Sequence, residues 1–327
     1  TADGGNTWQK LLASNFNGGY SDRVADIELA SDGTLYVSFG IYSSDGIYQS
    51  TDGGETWVDL IEESEGLPQE NFSRIEMATA PSNPTVAYAV FTAIETNESM
   101  GLYKTIDQGM TWDSIAEPDA IGMDNFTRNQ AWYDLILLVN PEDENDVIVG
   151  GIDLHRTTDG GATWSQISQW YGEKYPYVHA DQHQLISLFG DFSYIISGND
   201  GGVFLLKEEG EGEYTPTAKN QNYNVTQFYY ADLHPEAESP VVIAGAQDNG
   251  TQYFYQDGFG PTIEVTGGDG GFCHIDQNEP NIQISAYTYN EYYVTNDEWL
   301  TYDRVSIGEE AGRFINPTDY DSEYNVL

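Results

Sequence analysis

Hydrophobic and polar positions alternate along this chain in short runs, and polar turns separate the runs. Residues 23–29 (RVADIEL) switch between apolar and polar with a period of two, as a half-buried strand does. The turn Ser31-Asp32-Gly33 follows, then apolar runs at 35–39 and 46–50. The same order returns at 73–78, 86–91 and 101–105, and again at 133–139, 147–151 and 154–157. Three further units read 179–188, 194–198 and 202–206; 227–233, 241–245 and 251–255; and 271–275, 283–287 and 291–295. No stretch carries a 3.6-residue period long enough for a useful helix. The alternation predicts an all-β chain built from one repeated unit.

An eight-residue phrase punctuates the repeat. Thr157-Thr158-Asp159-Gly160-Gly161-Ala162-Thr163-Trp164 has the same form as the stretches Thr1 to Trp8 and Ser50 to Trp57. The stretch Thr105 to Trp112 differs by carrying Gln108 in place of the first glycine. Its aspartates, Asp3, Asp52, Asp107 and Asp159, recur roughly every 50 residues, a spacing that signals a repeat architecture. The short Asp side chain can accept backbone N–H bonds within a tight loop, and Gly supplies positive φ. Thr then returns the chain to a strand, and Trp8, Trp57, Trp112 and Trp164 offer large apolar bodies for burial between sheets. Thr295-Asn296-Asp297-Glu298-Trp299 reads as a shortened copy.

These residues resemble the Asp-box, or BNR repeat, of sialidases, xyloglucanase-type glycosidases and sortilin-type receptors. The resemblance implies a β-propeller of about seven four-stranded blades, with the boxes as structural hairpins on the rim, away from the ligand face. Residues 1–19 would be the outer hairpin of a closing blade, 20–312 six blades, and 313–327 the start of that closing blade. Further domains of the same polypeptide are expected beyond the chain end.

Composition narrows the partners. The chain has 327 residues, 11 Lys+Arg against 54 Asp+Glu, and a net charge of −43. Phosphate binding needs a basic surface, so nucleic acid and anionic membranes are excluded as partners. No apolar run reaches the ~20 residues of a membrane helix. The single cysteine, Cys273, lies in the apolar stretch 271–275 and reads as a buried small hydrophobe. The same acidity allows carboxylates to hold Ca²⁺ or another divalent cation.

The candidate chemistry lies in the later units. Gly198-Asn199-Asp200-Gly201-Gly202, Gly245-Ala246-Gln247-Asp248-Asn249-Gly250 and Gly267-Gly268-Asp269-Gly270-Gly271 fall at equivalent loops of three consecutive units. Val178-His179-Ala180-Asp181-Gln182-His183 precedes the first of them. On a strand, His179, Asp181 and His183 would share one face, a ligand set for a transition metal. With Gln130-Ala131-Trp132-Tyr133-Asp134 ahead of them, these motifs are similar in order to a group of secreted Bacteroidetes BNR or sortilin-like propellers, loosely grouped with glycosyl hydrolases.

That resemblance implies an exported or cell-surface module that recognises a glycan or an extracellular protein. Trp170, Tyr171, Tyr175 and Tyr177 read as a sugar-stacking loop between units, with Asn249 as a further ligand contact. The alternative is a xyloglucanase-like hydrolase working through two carboxylates. Asp134, Asp181, Asp200, Asp248 and Asp269 are its catalytic candidates, with Asp153 also in reach. A sialidase would need an arginine triad, and the six arginines here, with Arg156 leading straight into a rim box, do not suit one.

Overall fold

A computed structural model of the chain describes residues 1–12, 23–119, 122, 125–210, 212–223, 225–258, 260–308 and 312–327. Its strands form six four-stranded antiparallel sheets, each with its strands in chain order. These are β-propeller blades, and the described residues are all-β apart from the four-residue helix Leu60–Glu63. The chain divides into two compact units, Thr1–Gln221 and Asn222–Leu327.

Unit 1 holds four blades. The first runs Val24–Leu29, Leu35–Phe39, Gly46–Ser50 and Val58–Asp59, and the second Phe72–Thr79, Ala87–Ala93, Ser99–Thr105 and Asp113–Ile115. The third runs Ile136–Asn140, Asp143–Gly150, Leu154–Thr157 and Ser165–Gln166, and the fourth Gln182–Leu188, Asp191–Asn199, Gly202–Gly210 and Glu213–Ala218. Unit 2 holds Tyr230–Leu233, Val242–Gly245, Thr251–Phe254 and Ile263–Thr266, then Cys273–Ile275, Gln283–Ala286, Glu291–Thr295 and Asp303–Ser306.

The two-residue period explains how the blades stack. On the third blade Leu135, Leu137, Val147 and Val149 enter the core shared with Val90 and Leu102 of the second. Ile136 and Ile148, one residue out of step, enter the core shared with Ile195, Phe204 and Leu206 of the fourth. A central blade is therefore apolar on both faces, and each fully buried Leu or Ile contributes roughly 1.5–3 kcal/mol.

The acidic positions of the first strands are not simply solvated. Asp26 Oδ2 accepts the Met77 N–H at 2.9 Å, and Glu28 Oε2 accepts from Thr79 N at 3.2 Å and Oγ1 at 3.1 Å. In unit 2, Asp232 Oδ2 accepts the Ile275 N–H at 2.7 Å. Carboxylates of one blade thus satisfy edge N–H groups of the next.

The repeated phrase forms the hairpin between the third and fourth strands. In its third-blade copy Thr163 N donates to Asp159 Oδ1 at 2.9 Å and Thr163 Oγ1 to Oδ2 at 2.6 Å. Thr157 Oγ1 donates to Asp159 Oδ1 at 2.7 Å and accepts the Gly161 N–H. The copies at Asp3, Asp52 and Asp107 repeat these bonds. Gly53 and Gly160 take φ of 75° and 73°.

Two expectations about the phrase need correction. Trp8 is 79% exposed, because residues 1–12 add no strand that would bury it, whereas Trp112 is buried. The sixth-blade copy is not shortened: Thr301 N and Oγ1 donate to Asp297 at 2.8 and 2.7 Å, completing the loop. Glu298 and Trp299 stand where glycines stand elsewhere, at φ 56° and 69°. A non-glycine residue there is strained by about 1 kcal/mol or more. Glu298→Gly is therefore expected to stabilise unit 2 by about 1 kcal/mol, measured as a rise in denaturant midpoint.

Among the described residues, neither 1–12 nor 312–327 joins a sheet; the tail makes the isolated bridge Asp321↔Val326. The boundary expected near residue 19 lies outside the described residues.

Candidate functional site

In unit 1 the loops that precede the third and fourth blades gather several of the sequence-selected residues. Arg74, on the first strand of the second blade, reaches up to them. Its guanidinium donates to the carbonyls of Trp132 (3.3 Å), Tyr133 (2.8 Å) and Leu135 (2.7 Å) and to Glu76 (2.9 Å). This fixes the segment that carries Trp132, Tyr133 and Asp134. Tyr133 O–H then donates to Asp200 at 2.9 Å, and His183 Nε2 pairs with Asp200 Oδ1 at 2.5 Å. The Tyr133 and His183 rings meet edge to face at 4.7 Å. Trp132 lies between Tyr133 at 5.5 Å and Tyr42 at 5.7 Å.

Beneath this layer sits a second set of carboxyls. Asp134 is fully buried, and burial, followed by the nearby Asp181, holds its pKa well above the ordinary value. Burial and a neighbouring carboxylate both disfavour the charged form of Asp134. Asp181 is itself raised by burial and then by Asp200, and accepts from Gln130 Nε2 at 3.1 Å. Asp153 is pushed up to about 7, chiefly by burial. It accepts the Trp170 N–H at 2.8 Å and Gln166 Nε2 at 3.1 Å.

Asp153 thereby places the aromatic loop. The rings of Trp170 and Tyr171 lie 3.7 Å apart, and Arg128 donates to the Tyr171 hydroxyl at 3.0 Å. Tyr171 and Tyr177 are about half exposed, Tyr177 against Phe204 at 5.9 Å. Tyr175 is half-buried, with Lys174 over its ring at 5.5 Å.

Contrary to the expectation from sequence, His179, Asp181 and His183 do not lie on one strand. The strand starts at Gln182, and Asp181 turns out of it at φ 63°. His179 Nδ1 lies 3.2 Å from the Ala180 carbonyl, while His183 engages Asp200. The side chains of 179 and 183 are thus not consecutive neighbours on one face. Gly201 has a packing reason: a Cβ there would meet the His179 ring at 2.3 Å.

Asp248, Asn249 and Asp269 belong to unit 2. Asp248 N donates to Asp269 Oδ1 at 3.1 Å, and Asn249 Nδ2 to the Gln247 carbonyl. The two glycine-rich loops lie backbone on backbone. Gly250 N donates to the Gly268 carbonyl at 2.7 Å and Gly270 N to the Ala246 carbonyl at 2.8 Å. A Cβ on Gly270 would meet the Gly250 oxygen at 2.2 Å. Their glycines serve close approach of the fifth and sixth blades.

Sequence reasoning missed the roles of Arg74 and Arg128 and the placing role of Asp153, since single polar residues carry no spacing signal. It also left His155 aside. That residue is fully buried, and burial depresses its pKa to about 4.

No protein-family model matches the chain, and no curated protein matches it. Among solved structures, it is similar to the GH74 enzyme of Niastella koreensis at 12% identity, over 90% of this chain and 60% of that one, with a TM-score of 0.43. It is also similar to YCF48 from Cyanidioschyzon merolae at 13% identity, over 89% and 87%, with a TM-score of 0.39. A third is the GH74 xyloglucanase from Xanthomonas campestris, at 13% identity over 88% and 49%, with a TM-score of 0.35. The chain spans about three fifths of the Niastella enzyme and half of the Xanthomonas one. The blade assignment rests on the strand pairing.

Proposed function

We propose that the chain is a glycan-recognition propeller of an exported polypeptide, and that the loop face of unit 1 binds a neutral polysaccharide. The observation that carries this is a pair of exposed tyrosine rings whose hydroxyls are already tied down. Tyr133 is held by Asp200 and Tyr171 by Arg128. A ring fixed this way loses little side-chain freedom on binding, and its face suits the apolar face of a pyranose. Asp200 beside Tyr133 can accept from sugar hydroxyls. The net charge of −43 works against an anionic glycan.

One observation favours hydrolysis as a second reading. A glycosidase works through two carboxyls, and Asp134 and Asp181 are neighbouring carboxyls whose charged forms burial disfavours. Both side chains are buried, however, beneath the Tyr133 layer. Recognition is therefore put first.

The two separate on a panel of neutral plant and algal polysaccharides passed over the immobilised chain, with reducing ends assayed in the flow. Retention without new reducing ends is the expected result. New reducing ends that vanish in Asp134→Asn would establish the hydrolase, and retention of no neutral polysaccharide would defeat both.

A further inference from the structure

A separate cleft of about 380 Å³ lies within unit 2, lined by Tyr287, Thr288, Tyr289, Glu291 and Arg304. It is built on the hairpin joining Gln283–Ala286 to Glu291–Thr295. Tyr287 N donates to the Glu291 carbonyl at 2.8 Å, closing a turn in which Tyr289 and Asn290 have φ of 53° and 65°. Two consecutive positive φ values call for Asn or Gly. Asn290 meets that demand and Tyr289 does not. A bulky residue kept in that conformation is a local cost, of the kind retained where a side chain is wanted at a site.

The result is to hold the Tyr289 ring at the cleft, about half exposed, edge-on to Phe314 at 5.8 Å. A second lining ring, Tyr287, is braced edge-on against Tyr293 at 6.3 Å. Its position depends on Gly268, where a Cβ would come within 2.8 Å of the ring.

The polar wall is an ion pair. Arg304 Nε donates to Glu291 Oε2 at 3.1 Å, and Nη2 donates to the same oxygen. Glu291 is largely buried, while Arg304 is more than half exposed. Glu291 Oε1 and Arg304 Nη1 make no hydrogen bond among the described residues. The wall is neutral overall and presents one acceptor beside one donor. That pattern matches the two adjacent hydroxyls of a sugar, one donating and one accepting.

We propose that this cleft is a second carbohydrate site, taking a single neutral pyranose with vicinal hydroxyls between the Tyr287 and Tyr289 rings. It stands on unit 2 alone and does not depend on the reading of unit 1. A neutral pair and two ring faces give no reason to select a charged ligand.

The test is saturation-transfer NMR on the full chain carrying Tyr171→Ala, so that the unit 1 loop contributes little, with methyl glucoside, methyl galactoside, methyl mannoside and methyl xyloside. Tyr289→Gly removes the ring while suiting the positive φ, so it should fold with an equal or higher melting temperature. It is expected to weaken binding of at least one glycoside roughly tenfold, the size of one lost aromatic contact. Arg304→Met should weaken it likewise. The proposal is overturned if no glycoside shows transfer. It is equally overturned if, in that background, transfer is undiminished by both Tyr289→Gly and Arg304→Met.

Discussion

Replacing Arg156 with alanine is expected to destabilise unit 1 by about 3–5 kcal/mol, the range for removing one partner of a buried ion pair. Arg156 forms a two-pronged bond with Asp146, Nε to Oδ1 at 2.7 Å and Nη2 to Oδ2 at 2.8 Å. Nη1 faces Glu208 at 3.1 Å, and the guanidinium lies between the Phe192 and Tyr214 rings at 5.5 and 5.4 Å. Both members of the Asp146 pair are nearly buried. Alanine would leave Asp146 charged in a dry site with Asn140 as its remaining side-chain donor, at 2.8 Å. The loss comes from the stranded charge more than from the pair itself. Arg156→Met combined with Asp146→Leu should therefore recover most of the stability. Chemical denaturation decides it: a fall of under about 1 kcal/mol in Arg156→Ala would mean that the pair is solvated.

The second large effect is a stability that falls as pH rises toward neutrality. Asp153 holds its proton up to about pH 7 in the folded chain, against 3.8 when unperturbed, because burial disfavours its charge. The folded state binds the proton more tightly than the unfolded state. The contribution is thus whole below pH 3.8 and is lost as pH rises from 3.8 through 7. For this one group the loss is about 3–4 kcal/mol. Glu28, raised to about 7 by burial and then by Asp26, acts with the same sign from pH 4.5 upward. The loop aspartates Asp3, Asp52 and Asp159 act oppositely. Their hydrogen bonds to Thr lower them to about 2, so their contribution is present above 3.8 and lost in strong acid. Asp153→Asn should flatten the slope of unfolding free energy between pH 4 and 7, whatever it does to the absolute level. An unchanged slope would remove Asp153 from the account.

The alternation was the legible part, because each strand of a blade is sampled by both neighbouring cores. Leu135 and Ile136 go to different cores by parity alone. The loop phrase was equally legible, since its Asp, Thr and Gly each serve a bond or a φ that few other residues supply. Where those types were replaced, as by Glu298 and Trp299, the loop survived and the pattern did not. The candidate site was legible in its residue types but not in its pairings. Nothing in the order His179-Ala180-Asp181 announces that Asp181 leaves the strand direction. Nor does the sequence show that Asp134 and Asp181, 47 positions apart, share one buried space. Arg74 was invisible for a similar reason: it acts on carbonyls, and any sequence supplies those.

The central claim is that fixed tyrosine faces in unit 1 recognise a neutral glycan. Its most direct test is calorimetric titration of Tyr171→Ala and the unaltered chain with an oligosaccharide of whichever polysaccharide is retained. The account predicts an affinity loss of roughly tenfold or more in Tyr171→Ala, with the melting temperature unchanged because the ring is half exposed. Equal affinity in the two proteins would contradict it.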